Sequence, residues 1–258
     1  MSTSQTDHLF HPFHHAIEKY SLPEELQLLH DGAEPHPLCR LATGELQEYL
    51  EVQTDWKHNF GLNTNLDSAI IGKMFGVLIV KTENEEIGYL AAFSGKLAGG
   101  NHHAGFVPTV FDGLMEGSYL NRGMIELSRI NALIREMDST TPEGYQQVQD
   151  MKIHRRNHSN ALQNRLFEDY KFINADGVEK SLRDIFNPHK IPGKNPPAGA
   201  GECAGIKLLQ YAFKHKMKPL ALTEFWWGQS SRSPHWKHGE FYACCKEKCE
   251  PILGFMLS

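Results

Sequence analysis

Three cysteines, Cys203, Cys245 and Cys249, are of a type and spacing that could do chemistry. Three thiolates suit a soft ion such as zinc, which takes three protein ligands and a water at a catalytic site, or four ligands at a closed structural one. His238 is the expected fourth ligand, with His235 and Cys244 as alternatives. On one helical turn the i,i+4 spacing of Cys245 and Cys249 puts both sulfurs on the same face. Cys203 and the pair each fall at the start of a helix-like segment, where the dipole favours the thiolate. Glu202 stands directly before the first thiol and is the expected proton carrier of a catalytic centre. The plainer reading is that these are free cysteines serving as small apolar side chains in a core.

A second group of residues suits nucleic acid. The helix-like stretch "KIHRRNH" carries Lys152, Arg155 and Arg156, which could follow a phosphate backbone, although a solvated helix face explains the same charges. In "ALTEFWWG" alternation sends Trp226 and Trp227 to opposite faces of a strand. Trp227 beside the basic Lys214, Lys216, Lys218 and Arg232 would form a stacking platform for an exposed base, with Lys207 as a further expected RNA contact. Core packing is the competing role for that indole.

The elements that must position these residues follow from periodicity and turn signals. A short helix is expected over Leu22–Leu29, and "PLCRLATGELQEYLEVQTDW" reads as a helix capped by Thr43. The apolar runs Met74–Val80 and Ile87–Phe93 flank the polar turn "KTENEE" and predict a long β-hairpin. Helical spacing recurs over 119–137 and 146–172, broken by Pro142 and Gly144, which predicts a helical hairpin. A hairpin turning at Asn174–Gly177 comes next, then the proline-rich loop "NPHKIPGKNPPAGAGE". A helix over "ECAGIKLLQYAFKHK", a buried strand over "KPLALTEFWWG" and a last strand over "PILGFML" complete the chain.

The chain has 258 residues, 40% of them hydrophobic and 22% charged, which is ample for a sizeable core. No stretch approaches the roughly 18 apolar residues of a membrane span, and the N-terminus lacks the basic start and apolar run of a secretion signal. Five cysteines, an odd number, do not read as a disulfide framework. A cytoplasmic location without membrane partners is expected. The net charge of −5 conceals an asymmetry: residues 1–150 carry 9 basic against 21 acidic side chains, and residues 151–258 carry 17 against 10. A basic half of this size suits a polyanionic partner, and two solvated faces of unequal composition explain it equally well.

Four strings, "EPHPLCRLATGELQEYLEVQTDWKHNFGL", "GKMFGVLIV…IGYLAAFSGKLAG…FVPTVFD", "PPAGAGECAGIKLLQYAF…KPLALTEFWWG" and "FYACCKEKCEPILGFML", resemble in order the N-terminal extension of long bacterial RluA-type pseudouridine synthases. The resemblance covers about residues 10–258. It implies an association with RNA modification. The catalytic H-R-L-D segment of that family is absent from this chain, which implies that this polypeptide alone does not isomerise uridine. The element order of residues 168–257 is also similar to the zinc-dependent nucleoside deaminase fold, whose first ligand is followed two residues later by a catalytic glutamate. Here that position is Gly205, and the pair is spaced C-x-x-x-C. The expected fold is α+β: a hairpin region over 1–117, a helical arm over 118–167 and a deaminase-like α/β/α sandwich over 168–258. The implied role is an RNA-binding module that docks with a separate synthase domain. A zinc-dependent deaminase-like hydrolase and an interaction module that self-associates through its helical arm are the alternatives.

Overall fold

In the computed structural model, which describes residues 8–62, 72–113, 115–189, 191, 193–230 and 235–258, the predicted hairpin is the centre of the fold. Strands β3 (Lys73–Lys81) and β4 (Ile87–Phe93) pair antiparallel from Phe75 opposite Phe93 to Lys81 opposite Ile87. The other edge of β3 pairs antiparallel with β7 (Lys218–Trp227), so β3 is hydrogen-bonded on both sides. Two-residue strands close the edges. Strand β1 (His11–Pro12) pairs with β4, and β2 (Gln27–Leu28) runs parallel to β7, giving the order β1-β4-β3-β7-β2, with β8 (Phe241–Tyr242) also on β7. The fold is α+β, and strands from both 1–117 and 168–258 share this one sheet.

Alternation along the strands builds two cores. Phe75, Val77 and Ile79 face helix α1 (Pro37–Val52) and its Leu38, Ala42, Leu46 and Leu50. Leu78, Val80, Leu90 and Leu222 face helices α5 (Ala204–Lys214) and α6 (Glu250–Met256) on the opposite side. The result is three layers, helix on sheet on helix. Gly76 decides how closely α5 can approach, because a Cβ there would stand 3.0 Å from that of Ala204 and 3.2 Å from Leu208.

The helical hairpin forms as expected from α2 (Tyr119–Glu136) and α3 (Pro142–Asp169). Ser118 and Thr141 cap them by accepting the amides of Asn121 and Gly144. Helix α3 stops at Asp169 rather than at residue 172 because Lys171–Ile173 pairs as β5 with β6 (Glu179–Ser181), the predicted small hairpin. A short helix α4 (Leu182–Phe186) follows it. Gln210 of α5 ties this hairpin to the body, accepting from Ile173 N–H and donating to the Lys171 carbonyl.

Three local expectations are corrected. Leu22–Leu29 contains no helix; Pro23 and a length below that of a self-sustaining helix leave Gln27–Leu28 to take the free edge of β7. Helix α1 begins six residues before Thr43, with His36 accepting the Leu38 amide and Pro37 at the first position, so Thr43 lies inside the helix and is buried. "PILGFML" is helical, not a strand: Pro251 sits in the first turn of α6, and Ile252, Leu253, Phe255 and Met256 are buried at helical spacing. No helix among the described residues is long and apolar enough to cross a membrane.

One buried charge ties the layers together. Lys207 of α5 is 2% exposed, and its ammonium donates to the carbonyls of Phe93 and Gly95, both at 3.0 Å. Burial lowers its pKa, and Glu202, 3.8 Å away, opposes that shift. Replacing Lys207 by Met should therefore lower the unfolding free energy by about 1–3 kcal/mol, because two carbonyls lose their donor in a dry site. Urea unfolding checks this, with the midpoint falling at an unchanged denaturant slope.

Candidate metal centre

The loop before α5 delivers Cys203 to the N-cap position of that helix, with φ −71° and ψ 149°. Gly201 makes the approach possible: its φ is +88°, and a Cβ there would lie 2.6 Å from the Tyr170 ring. The first amides of α5 are satisfied by side chains from the sheet, Ala204 N–H by Ser94 Oγ at 3.2 Å and Gly205 N–H by Glu224 Oε1 at 2.8 Å. Cys203 makes no side-chain cap bond. Its sulfur is free to turn elsewhere.

It turns to Cys245, 4.0 Å away. The Cys245 carbonyl accepts the amides of Cys249 and Glu250, forming the single helical turn that the i,i+4 spacing predicts, and the two sulfurs stand 3.3 Å apart. Ligand atoms of all three cysteines lie within 4.8 Å of one another, and among the described residues no other group of three His, Cys, Asp or Glu does so. Three thiolates at about 2.3 Å from a tetrahedral ion would be separated by about 3.8 Å, so only small shifts convert this triangle into a ligand set. Three cysteines thus come together where they could bind a metal ion.

The thiols are unequal. Cys245 is held well below the usual thiol range, first by hydrogen bonds from Cys203 and Cys249 and then by the amides of Lys248 and Cys249. Cys203 is raised chiefly by its bond to Cys245, and Cys249 by those to Cys203 and Cys245. The shifts thus run in opposite directions within one cluster, down at Cys245 and up at its two neighbours. Cys244 stays outside the triangle, and burial pushes its thiol well up. It lines a cleft of about 550 Å³ between α6 and the segment around His30.

Glu224 is the residue that sequence reasoning missed. It is 4% exposed on β7, opposite Gly76 and Tyr242, and burial pushes its carboxyl up to about 7 against the pull of the Gly205 amide. Its charge also raises Cys203, Cys244 and Cys249. A Cβ on Gly205 would stand 3.5 Å from Glu224 Oε1, so a strand side chain reaches the neighbourhood where a glutamate at position 205 would begin. The available signal was a lone acid inside the apolar run "LALTEFWW".

The other expected residues are placed as follows. Glu202 accepts the Tyr170 hydroxyl at 2.9 Å and faces Lys207. His238 is not in the sulfur cluster; its Nδ1 accepts the Gly228 amide at 2.9 Å and its ring packs on Trp227. Two RNA assignments are corrected by burial. Lys207 is spent on backbone carbonyls, and Trp227, 4% exposed, packs in the α1-facing core with no free ring face for a base. Lys152 and Arg156 are exposed on α3, Arg155 is half-buried beside them, and Lys214 is exposed at the end of α5. Arg232 lies outside the described residues. Comparison with protein-family models, with curated proteins and with solved structures finds no match to this chain.

In metal-free protein at neutral pH, Cys245 should react with iodoacetamide ahead of Cys203 and Cys249, since the thiolate is the nucleophile. Cys39, fully buried and pushed up to about 12, should stay unmodified until the fold opens. Peptide mass mapping of a timed reaction reads this order.

Proposed function

We propose that Cys203, Cys245 and Cys249 hold zinc and that the chain is a zinc-dependent hydrolase of the deaminase type, acting on an amino-bearing base of RNA. The convergence of the three sulfurs carries this reading. Three thiolates leave one of four tetrahedral positions open, as a catalytic site requires. Zinc bound there supplies a water acidified to near neutrality. The protein's own part is proton movement by Glu224, whose carboxyl, pushed up to about 7, can both take and give a proton at neutral pH. In the reaction, the oxygen of water would bond to the ring carbon bearing the amino group while Glu224 passes one water proton to the adjacent ring nitrogen and the other to the amino group, which leaves as ammonia when the carbon–nitrogen bond breaks.

The order of elements supports the same reading. Around the sheet the order is α1, β3, β4, α5, β7 and α6, with the helical arm, the β5–β6 hairpin and α4 inserted between β4 and α5 and β8 between β7 and α6; the first thiol stands at the start of α5 and the pair just before α6. The resemblance to extensions of pseudouridine synthases supports RNA as the setting and a separate synthase domain as the partner. A second reading, self-association through the helical arm, is favoured by the exposed apolar Met124, Ile125, Tyr145 and Ile153 on α2 and α3. Sedimentation would detect it as a dimer that Met124→Glu with Ile153→Glu dissociates.

Protein as purified should contain about one zinc per chain, lost in Cys203→Ala and retained in Glu224→Gln. Retention should weaken as pH falls, because the ion must displace protons from Cys203 and Cys249. Wild type should release ammonia from cytidine- or adenosine-containing RNA, and Glu224→Gln should slow this about 10²–10⁴-fold. Zinc well below stoichiometry removes the metal reading. Full zinc without ammonia release removes the hydrolase, and undiminished release by Glu224→Gln removes its role as proton carrier.

A further inference from the structure

On the face of the sheet opposite the cysteines, the N-terminal arm folds over α1 and encloses a second polar site. The outer edge of β4 holds the arm through His11 opposite Tyr89 and Pro12 opposite Gly88. Contact is so close that a Cβ on Gly88 would lie 2.4 Å from the His11 carbonyl. His11 stacks on Tyr89 and shares a hydrogen bond with the Gly105 carbonyl at 2.7 Å. Between the arm, α1 and the loop around Gly105 lies a cavity of about 260 Å³, lined by Glu45, Tyr49, Asp55, Tyr89 and Phe106.

Glu45 is the anomaly of this cavity. It sits in α1 with its side chain 2% exposed. Oε1 is engaged by the His14 amide at 3.0 Å and by His15 Nδ1 at 3.1 Å. Oε2 is buried without a close donor; the Tyr89 hydroxyl interacts with the same carboxylate, and the His14 imidazole, mostly exposed at the rim, stands 3.9 Å from Oε2. A buried carboxyl oxygen without a donor costs about 1–3 kcal/mol, so something that donates belongs beside it.

The lining selects the donor. A second acid, Asp55, shares the wall, which disfavours an anion. A chelated metal is disfavoured too, because the ligand atoms of the acids and imidazoles here do not converge as those of the three cysteines do. Tyr49, Tyr89 and Phe106 line the wall, with His11 already stacked on Tyr89, and an aromatic wall of this kind suits a positive charge that also carries carbon. The volume exceeds what a bare monovalent ion would fill. We propose that this cavity is a binding site for a small organic cation, a primary ammonium or a guanidinium, whose N–H groups donate to Glu45 Oε2 and whose carbon portion lies against the tyrosines. The site is independent of the cysteine centre, which lies across the sheet.

Calorimetric titration of the full chain with methylguanidinium and with n-butylammonium tests it, with 1-butanol as the neutral isostere. At least one cation should bind saturably and the alcohol should not. Glu45→Gln, which keeps the shape and removes the charge, should weaken binding by about tenfold or more, and Asp55→Asn by less, with zinc content unchanged in both. If Glu45→Gln does not fold, Asp55→Asn and the alcohol carry the test. No saturable binding by wild type means that water alone occupies the cavity and overturns the proposal. Equal binding of 1-butanol, or undiminished affinity in a folded Glu45→Gln, overturns it as well.

Discussion

A helix must find acceptors for its first amides, and at α5 those acceptors come from two different strands. Ser94, just past β4, takes the amide of Ala204, and Glu224 of β7 takes that of Gly205. The residue that would ordinarily cap the helix with its own side chain is a cysteine that does not do so. Fixing the helix end from the sheet therefore frees a sulfur at the N-cap. Much of the polar architecture supports this arrangement. Lys207, one turn further along α5, grips the carbonyls on either side of Ser94, so the capping hydroxyl is itself held in place. Gly76 lets the helix settle close enough to the sheet for both bonds to form.

The sheet also separates two unusual carboxyls. Glu224 faces the α5 side, where its neighbours are a backbone amide and thiols, and Glu45 lies in the helix covering the other side, among imidazoles and phenols. Each interrupts an otherwise apolar layer, a costly placement unless the group is used. Their surroundings differ: the thiols near Glu224 converge as a soft ligand set, whereas the imidazoles and phenols around Glu45 do not bring three ligand atoms together. The same residue type is thus held in two different polar environments on the two sides.

Local signals read the hairpin of β3 and β4 well, because two apolar runs about a polar turn have few alternatives. The helical arm was legible from its apolar spacing, but Pro142 and Gly144, read as the break, lie in the first turn of α3, which Thr141 caps. Long-range competition defeated the rest. Leu22–Leu29 became partly strand because β7 had an open edge, and "PILGFML" became a helix because its apolar spacing fits helix and strand alike over so short a run. Of the metal site, the three sulfurs were legible from type and spacing, but His238 was assigned by proximity in sequence and sits against Trp227 instead. Glu224 was hidden because its partner, the amide of Gly205, is nineteen residues away. Lys207 and Trp227 looked like surface chemistry only because periodicity cannot say which side of a fully covered element remains wet.

Both outermost strands of the sheet come from the same short piece of chain. His11–Pro12 closes the border of β4, and Gln27–Leu28 shares that of β7 with β8, so fewer than twenty residues reach both sides of the sheet. An uncovered strand offers its amides and carbonyls to any passing chain. The arm acts as a pair of bookends: its proline denies one border a donor, and its brevity leaves little to extend from the other. Loss of residues 8–28 would bare the β4 border and the part of β7 that β8 leaves uncovered, and self-assembly of the molecule into aggregates would be the outcome.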